Sequence, residues 1–167
     1  MLDVDMEADE EWDSSTDWLT LVRSAAQSAI AHSAFPQLAD TPRAVELSVR
    51  LTGDNEVRAL NAQWRGKDKA TNVLSFPMNE PEELEQAERD GPELMLGDVV
   101  LAHGVCGREA AEKKVPLEAH AAHLVVHGTL HLLGYDHQDD AAASEMEQRE
   151  VRALAALGIA DPYEGER

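Results

Sequence analysis

Cysteine is nearly absent: Cys106 is the only one in 167 residues. A disulfide framework within the chain is thereby excluded, and a reducing, cytoplasmic compartment fits. A lone cysteine is more often a small buried hydrophobe than a nucleophile. No apolar run approaches the roughly 20 residues that a membrane-spanning helix needs, so no membrane role is expected. The opening MLDVDMEADEEWD has no basic-then-apolar pattern of a secretory signal. Positive charge is also scarce, with 14 Lys and Arg against 33 Asp and Glu and a net charge of −19. Such a total is unfavourable for a nucleic-acid partner.

The distribution of charge changes that reading. Residues 1–17 carry −8, residues 79–93 carry −6 and residues 139–167 carry −5. What remains is +2 over 18–78 and −2 over 94–138. The negative charge is thus set apart from a near-neutral centre that holds a local basic cluster. The length suits one domain able to bury a core. Residues 1–15 read as an acidic disordered tail, 16–160 as a single catalytic domain and 161–167 as a C-terminal tail.

What the chain has in plenty is histidine, placed in one stretch. Five of its seven histidines lie between 120 and 137. The segment HGTLHLLGYDH, 127–137, spaces three of them as His-x3-His-x5-His. Residues four apart share a helix face, about 5.4 Å apart along the axis. His127 and His131 can therefore aim at one point. Gly134 can end the helix in the left-handed conformation, and Tyr135-Asp136 then bring His137 back toward that point. Three ligands and an open position mark a catalytic zinc site rather than a closed structural one. Asp136 offers a carboxylate to orient a ligand imidazole. His123 and His127 are also four apart, but only the pair His127 and His131 leaves His137 within reach. His123 is then a substrate-contacting or proton-relaying neighbour, and His120 is structural.

The spacing coincides with HExxHxxGxxH of the metzincin peptidases. Gly128 stands where those enzymes carry their glutamate base, which argues against peptide hydrolysis. A base would have to come from His123, Asp98, water on the metal or the substrate.

Along the chain, a first helix is expected from Ser15 or Thr16 through WLTLVRSAAQSAIAH. AVELSVRLT (44–52) alternates as a strand. Asp54 can cap a helix through EVRALNAQW that Gly66 ends. NVLSFP is a short strand, 78–93 a surface loop, and 93–102 a strand interrupted at Gly97-Asp98. Helices follow over 104–114, from Pro116 through the histidines, and from Asp139 or Asp140 to Gly158, with Leu154 and Leu157 facing inward. The fold class is α/β (α+β), a single mixed sheet packed with helices.

Two further segments bear on chemistry. NAQWRGKDKATNVLSFP (61–77) sets Trp64, Arg65, Lys67 and Lys69 around a helix-to-strand loop. Arginine presents a planar fork suited to phosphate oxygens, and an adjacent aromatic can stack on an unpaired base. In LGDVV, Asp98 stands between apolar strand residues, where a carboxylate costs energy unless paired. It is a structural turn, or it orients a metal ligand or a substrate group.

RGKDKATNVLSFP, then LGDVV, then HxxHLVVHGTLHLLGYDH, in this order, resembles the YbeY family of bacterial ribosomal-RNA endoribonucleases. The resemblance spans roughly 44–158. It implies a zincin-related fold with one metal ion, Zn2+ or another divalent transition metal such as Ni2+, held by His127, His131 and His137. It implies a functional Arg65, beside which His123 and Asp98 are the other catalytic candidates. It also implies cleavage of single-stranded RNA in maturation of the 3′ end of small-subunit (16S) ribosomal RNA and in ribosome quality control. The partners would be the small ribosomal subunit and its assembly factors. The family usually has aspartate where Asn72 stands. The alternatives are a non-catalytic, metal-containing assembly factor and a metal-dependent hydrolase of another substrate.

Overall fold

A computed structural model describes residues 1–87 and 91–166; part of the acidic excursion (88–90) and Arg167 lie outside the described residues. Among the described residues, four strands form one sheet in the order β1-β2-β4-β3. They are β1 (Leu2–Ala8), β2 (Val45–Thr52), β3 (Val73–Pro77) and β4 (Leu94–Ala102). β1 and β4 run parallel to β2, while β3 is antiparallel to β4, so the sheet is mixed as expected.

The acidic N-terminus is not a disordered tail. Leu2, Val4 and Met6 alternate with Asp3, Asp5 and Glu7, and β1 pairs from Leu2↔Val45 to Ala8↔Leu51. Alternation sends Val4 into the core and leaves the acids on the open face of the sheet. Charge density masked this period-two pattern. The next segment is also fixed: Trp12 donates from Nε1 to Thr52 O and meets Trp18 edge-on at 5.0 Å, both rings being buried.

Among the described residues, six α-helices complete the fold: α1 (Trp18–Ala31), α2 (Asp54–Arg65), α3 (Pro81–Glu85), α4 (His103–Lys113), α5 (Leu117–Leu132) and α6 (Asp140–Ala155). The cap of α1 is Asp17, which accepts from Thr20 N, rather than a hydroxyl residue further back. Asp54 begins α2 but does not cap it; its carboxylate accepts from Val105 N and so ties α2 to α4. Asp139 caps α6 through Ala142 N. The excursion after β3 holds α3, closed by a Glu80–Glu83 capping box and anchored by buried Leu84.

The main core lies between the sheet and α1, α5 and α6, and a smaller one (Val57, Leu74, Val100, Ala102) lies under α2. β4 is not broken at Gly97-Asp98. It bulges instead: Met95 pairs with Glu46 and Gly97 with Leu47, leaving Leu96 as the extra residue. Residues 161–166 are not a loose tail either, because Tyr163 is bonded to α6. Among the described residues, no helix is long and apolar enough to cross a membrane.

Candidate metal centre

α5 is apolar on most of its surface. It buries Ala121, Ala122, Leu124, Val125, Val126, Leu130 and Leu132 between the sheet and its neighbouring helices. A helix held on so many sides has little freedom to shift, so its polar side chains are placed rigidly. His127 and His131 are only partly exposed, at the rim of a groove of about 800 Å3.

The helix ends as its sequence requires. Gly134 has φ +98°, and a Cβ there would stand 2.6 Å from Pro81 Cγ. A side chain is therefore opposed by both backbone conformation and space. The turn beyond is anchored by Tyr135, whose hydroxyl accepts from Ala34 N and whose ring lies under the Arg149 guanidinium. His137 returns over the end of the helix and stacks on His127 at 5.1 Å between centroids. His127 Nε2 and His131 Nε2 are 3.0 Å apart. One ring nitrogen from each of His127, His131 and His137 falls within 4.8 Å of the others.

Behind the site stands a carboxylate. Glu150 of α6 is wholly buried. Its Oε1 lies 3.2 Å from His127 Nδ1 and 2.8 Å from His123 Nε2. With Nδ1 engaged, His127 presents Nε2 to the groove. Burial alone would push the Glu150 carboxyl up, but the hydrogen bonds and charges of His123 and His127 outweigh it and hold it down at about 2. Glu150, not Asp136, is thus the orienting carboxylate; Asp136 lines the groove and accepts from Gln138 N. The sequence carried a signal for it. Met146, Glu150, Ala153 and Leu154 form one buried stripe of α6, and an acid in such a stripe needs a partner.

His131 is taken down to about 4, first by burial and then by neighbouring His127 and His137. It is therefore neutral, with a lone pair available, at neutral pH. The unfolded chain takes up this proton near pH 6.5 and the folded chain only near 4. The associated stability is complete above about pH 6.5 and is lost as pH falls toward 4. Partly exposed Glu46, pushed up to about 7 by Glu93 and by its own desolvation, works in the opposite sense. The difference between two proteins is therefore the useful measure. Metal-free wild type should lose more thermal stability between pH 7 and pH 5 than metal-free His131→Ala does. Equal losses would show that His131 titrates normally.

Arg65 ends α2, and Gly66 turns the chain away in the left-handed conformation. Arg65 Nη2 donates to Ser75 O at 2.6 Å, and the guanidinium lies 5.7 Å from the centre of the Phe76 ring. Held in this way, it lines the same groove as the three histidines, together with Lys67 and Lys69. Ser75 links the two parts, since its Oγ donates to Gly128 O on α5.

Two expected site residues, Asp98 and Trp64, line a different groove, and a third, His123, lies behind the site. Past the bulge, neighbouring residues of β4 point to opposite faces: Val99 meets α5, while Asp98 faces away from it. Asp98 lines a separate groove with Asp5, Glu7, Arg50 and Trp64, so it neither orients a ligand nor reaches a substrate at the histidines. Trp64, 64 % exposed, borders that other groove and is not placed to stack a base beside Arg65. His123 is buried with its Nε2 committed to Glu150, so it is a support for the site and not a substrate contact. His120 is structural as expected, bonded to Glu109 at 2.8 Å. Glu109 also accepts from Asn72 Nδ2 at 3.0 Å. An aspartate at 72 would set two carboxylates against each other, which accounts for the asparagine.

A family model described as endoribonuclease YbeY matches residues 5–158. The chain belongs to the endoribonuclease YbeY family. Family members named endoribonuclease YbeY include that of Sphingopyxis alaskensis, 52% identical over 98% of this chain and 98% of the relative. Those of Rhizorhabdus wittichii (51% identical, covering 98% and 97%) and Novosphingobium aromaticivorans (54%, covering 96% and 95%) are similarly close. The solution structure of TM1509 from Thermotoga maritima shares the fold, with a TM-score of 0.56 at 23% identity over 99% of this chain and 91% of that one.

Proposed function

We propose that this YbeY-family chain is a metal-dependent endoribonuclease that cuts single-stranded RNA and acts on the 3′ end of small-subunit ribosomal RNA and in ribosome quality control. Membership of the family makes it an enzyme acting on RNA phosphodiester bonds. The observation that carries the finer reading is the juxtaposition of three converging imidazoles with a pinned guanidinium in one groove.

The histidines fit a divalent transition metal. Ligands of a tetrahedral zinc at about 2.0–2.1 Å stand roughly 3.3 Å apart, close to the 3.0 Å between His127 and His131 Nε2. Imidazoles suit zinc, and nickel is an alternative. Bound there, the ion supplies Lewis acidity, polarising a phosphodiester oxygen or lowering the pKa of water to about 7. Arg65 places fixed positive charge beside the same point and stabilises charge developing on phosphate oxygens. Lys67 and Lys69 extend the basic wall along which one RNA backbone lies. Neither Asp98 nor His123 lines the groove of the three histidines. If the RNA's own 2′-hydroxyl attacks, the products carry a 2′,3′-cyclic phosphate.

The buried thiol of Cys106, pushed up to about 12 chiefly by desolvation, takes no part. We place the enzyme in the cytoplasm, acting with the small ribosomal subunit and its assembly factors.

Arg65→Ala should lower kcat/KM for a single-stranded RNA by about 10²–10³ with metal content unchanged. Arg65→Lys should not restore it, since the planar fork and its stacking on Phe76 are lost. Full cleavage by Arg65→Ala would remove the phosphate role.

A further inference from the structure

Glu150 receives three donors from two parts of the chain. His123 and His127 come from α5. The third is Tyr163, in the segment after α6, beyond the residues 5–158 that match the family. Its hydroxyl lies 2.9 Å from Oε1 and 3.0 Å from Oε2. Its ring stands edge-on to His123, with centroids 5.4 Å apart. Its own backbone N–H donates to Asp161 Oδ1, a turn that fixes the approach of the ring.

The two imidazole bonds to Glu150 are unequal. His123 is at 2.8 Å and His127 at 3.2 Å, both on Oε1. The terminal torsion of a glutamate is soft. A carboxylate that loses the hydroxyl bridging its two oxygens can turn toward the closer histidine, and the bond to His127 is the one that lengthens. His127 is also the one of the two that faces the groove. We propose that Tyr163 is a positioning residue for the metal centre: through Glu150 it fixes the tautomer and direction of His127, so the C-terminal segment completes the site. This rests on the reading of His127, His131 and His137 as metal ligands.

The test is zinc affinity of the full chain, measured by competition with a chromophoric chelator. Tyr163→Phe should weaken zinc about tenfold, the lower end of what loss of an outer-shell partner costs. Glu150→Gln should weaken it at least as much. Adding Tyr163→Phe to Glu150→Ala should cost nothing beyond Glu150→Ala alone, because the side chain that carries the route is then gone. A second measurement leaves the fold intact. The chain has two tyrosines, and in 3-fluorotyrosine protein the Tyr163 fluorine resonance, assigned with Tyr135→Phe, should move on addition of zinc. Zinc affinity of Tyr163→Phe within twofold of wild type would overturn the proposal, as would penalties that simply add in the double variant. Should Tyr163→Phe not fold, a fluorine resonance unmoved by zinc overturns it. A wild type that takes up no zinc overturns the metal-centre reading itself, whereas equally tight binding by wild type and variant overturns only the role of Tyr163.

Discussion

His131→Ala is expected to abolish RNA cleavage, by at least about 10³-fold, while leaving the protein folded. The variant removes one of the three imidazoles that could hold a metal. Loss of an outer-shell partner alone costs about 10–100-fold in metal affinity, so loss of a ligand costs more. The fold does not depend on the ion. α5 is held by its apolar residues against the sheet, α1, α4 and α6. Circular dichroism and thermal unfolding of the metal-free variant should match metal-free wild type near pH 7. Elemental analysis should show a substoichiometric ion. A variant that loses metal and folding together, from a wild type that never cuts RNA, would favour a structural ion in an assembly factor.

Gly128→Glu is the second large effect, and it falls on stability. The substitution installs the glutamate that the metzincin pattern has at this position. A Cβ at 128 would lie 2.7 Å from Val99 Cγ1 and 3.1 Å from Ser75 Oγ. Val99 is wholly buried in β4, so it has little room to yield. Overpacking of a tight core costs about 1–3 kcal/mol, and an unpaired carboxylate at this contact adds to it. A loss of more than about 3 kcal/mol, or roughly 10 °C in Tm, is expected for a domain of this size. No peptidase activity should appear. Gly128→Ala separates the terms: it keeps the collision, omits the charge and gains up to about 1 kcal/mol of helix propensity. Near-wild-type stability of Gly128→Glu would show that the helix can lift from the sheet. Gly128 is thus a packing residue. The absent base is a consequence of how closely α5 approaches β3 and β4.

The histidine site was legible in the sequence because its geometry is local. Helical spacing and a helix-ending glycine bring three imidazoles together within eleven residues, and the strand and helix order around them follows from periodicity and caps. The helix end at Arg65 is marked in the sequence by Gly66, and the structure sets Arg65 on the same groove as the histidines. The misreadings are long-range. Glu150 meets His127 from 23 residues away, and only the packing of α6 on α5 brings them together. Asp98 was assigned to the site from its strand alone, but the face it occupies depends on a bulge, and a shift of one residue reverses every side chain beyond it. β1 was hidden because its acids dominate the composition while its apolar residues keep strand alternation. Trp64 stands next to Arg65 in sequence, yet the two line different grooves because they project from different sides of α2.

The central claim is that His127, His131 and His137 hold an ion on which RNA cleavage depends. The most direct measurement starts from protein purified without chelator, its metal determined by elemental analysis. Cleavage of a 3′-extended small-subunit ribosomal-RNA precursor is then followed before chelation, after chelation and after one equivalent of zinc is returned. About one transition-metal ion per chain is expected, with cleavage lost on chelation and restored by zinc. Cleavage that persists undiminished in fully metal-free protein would contradict the claim.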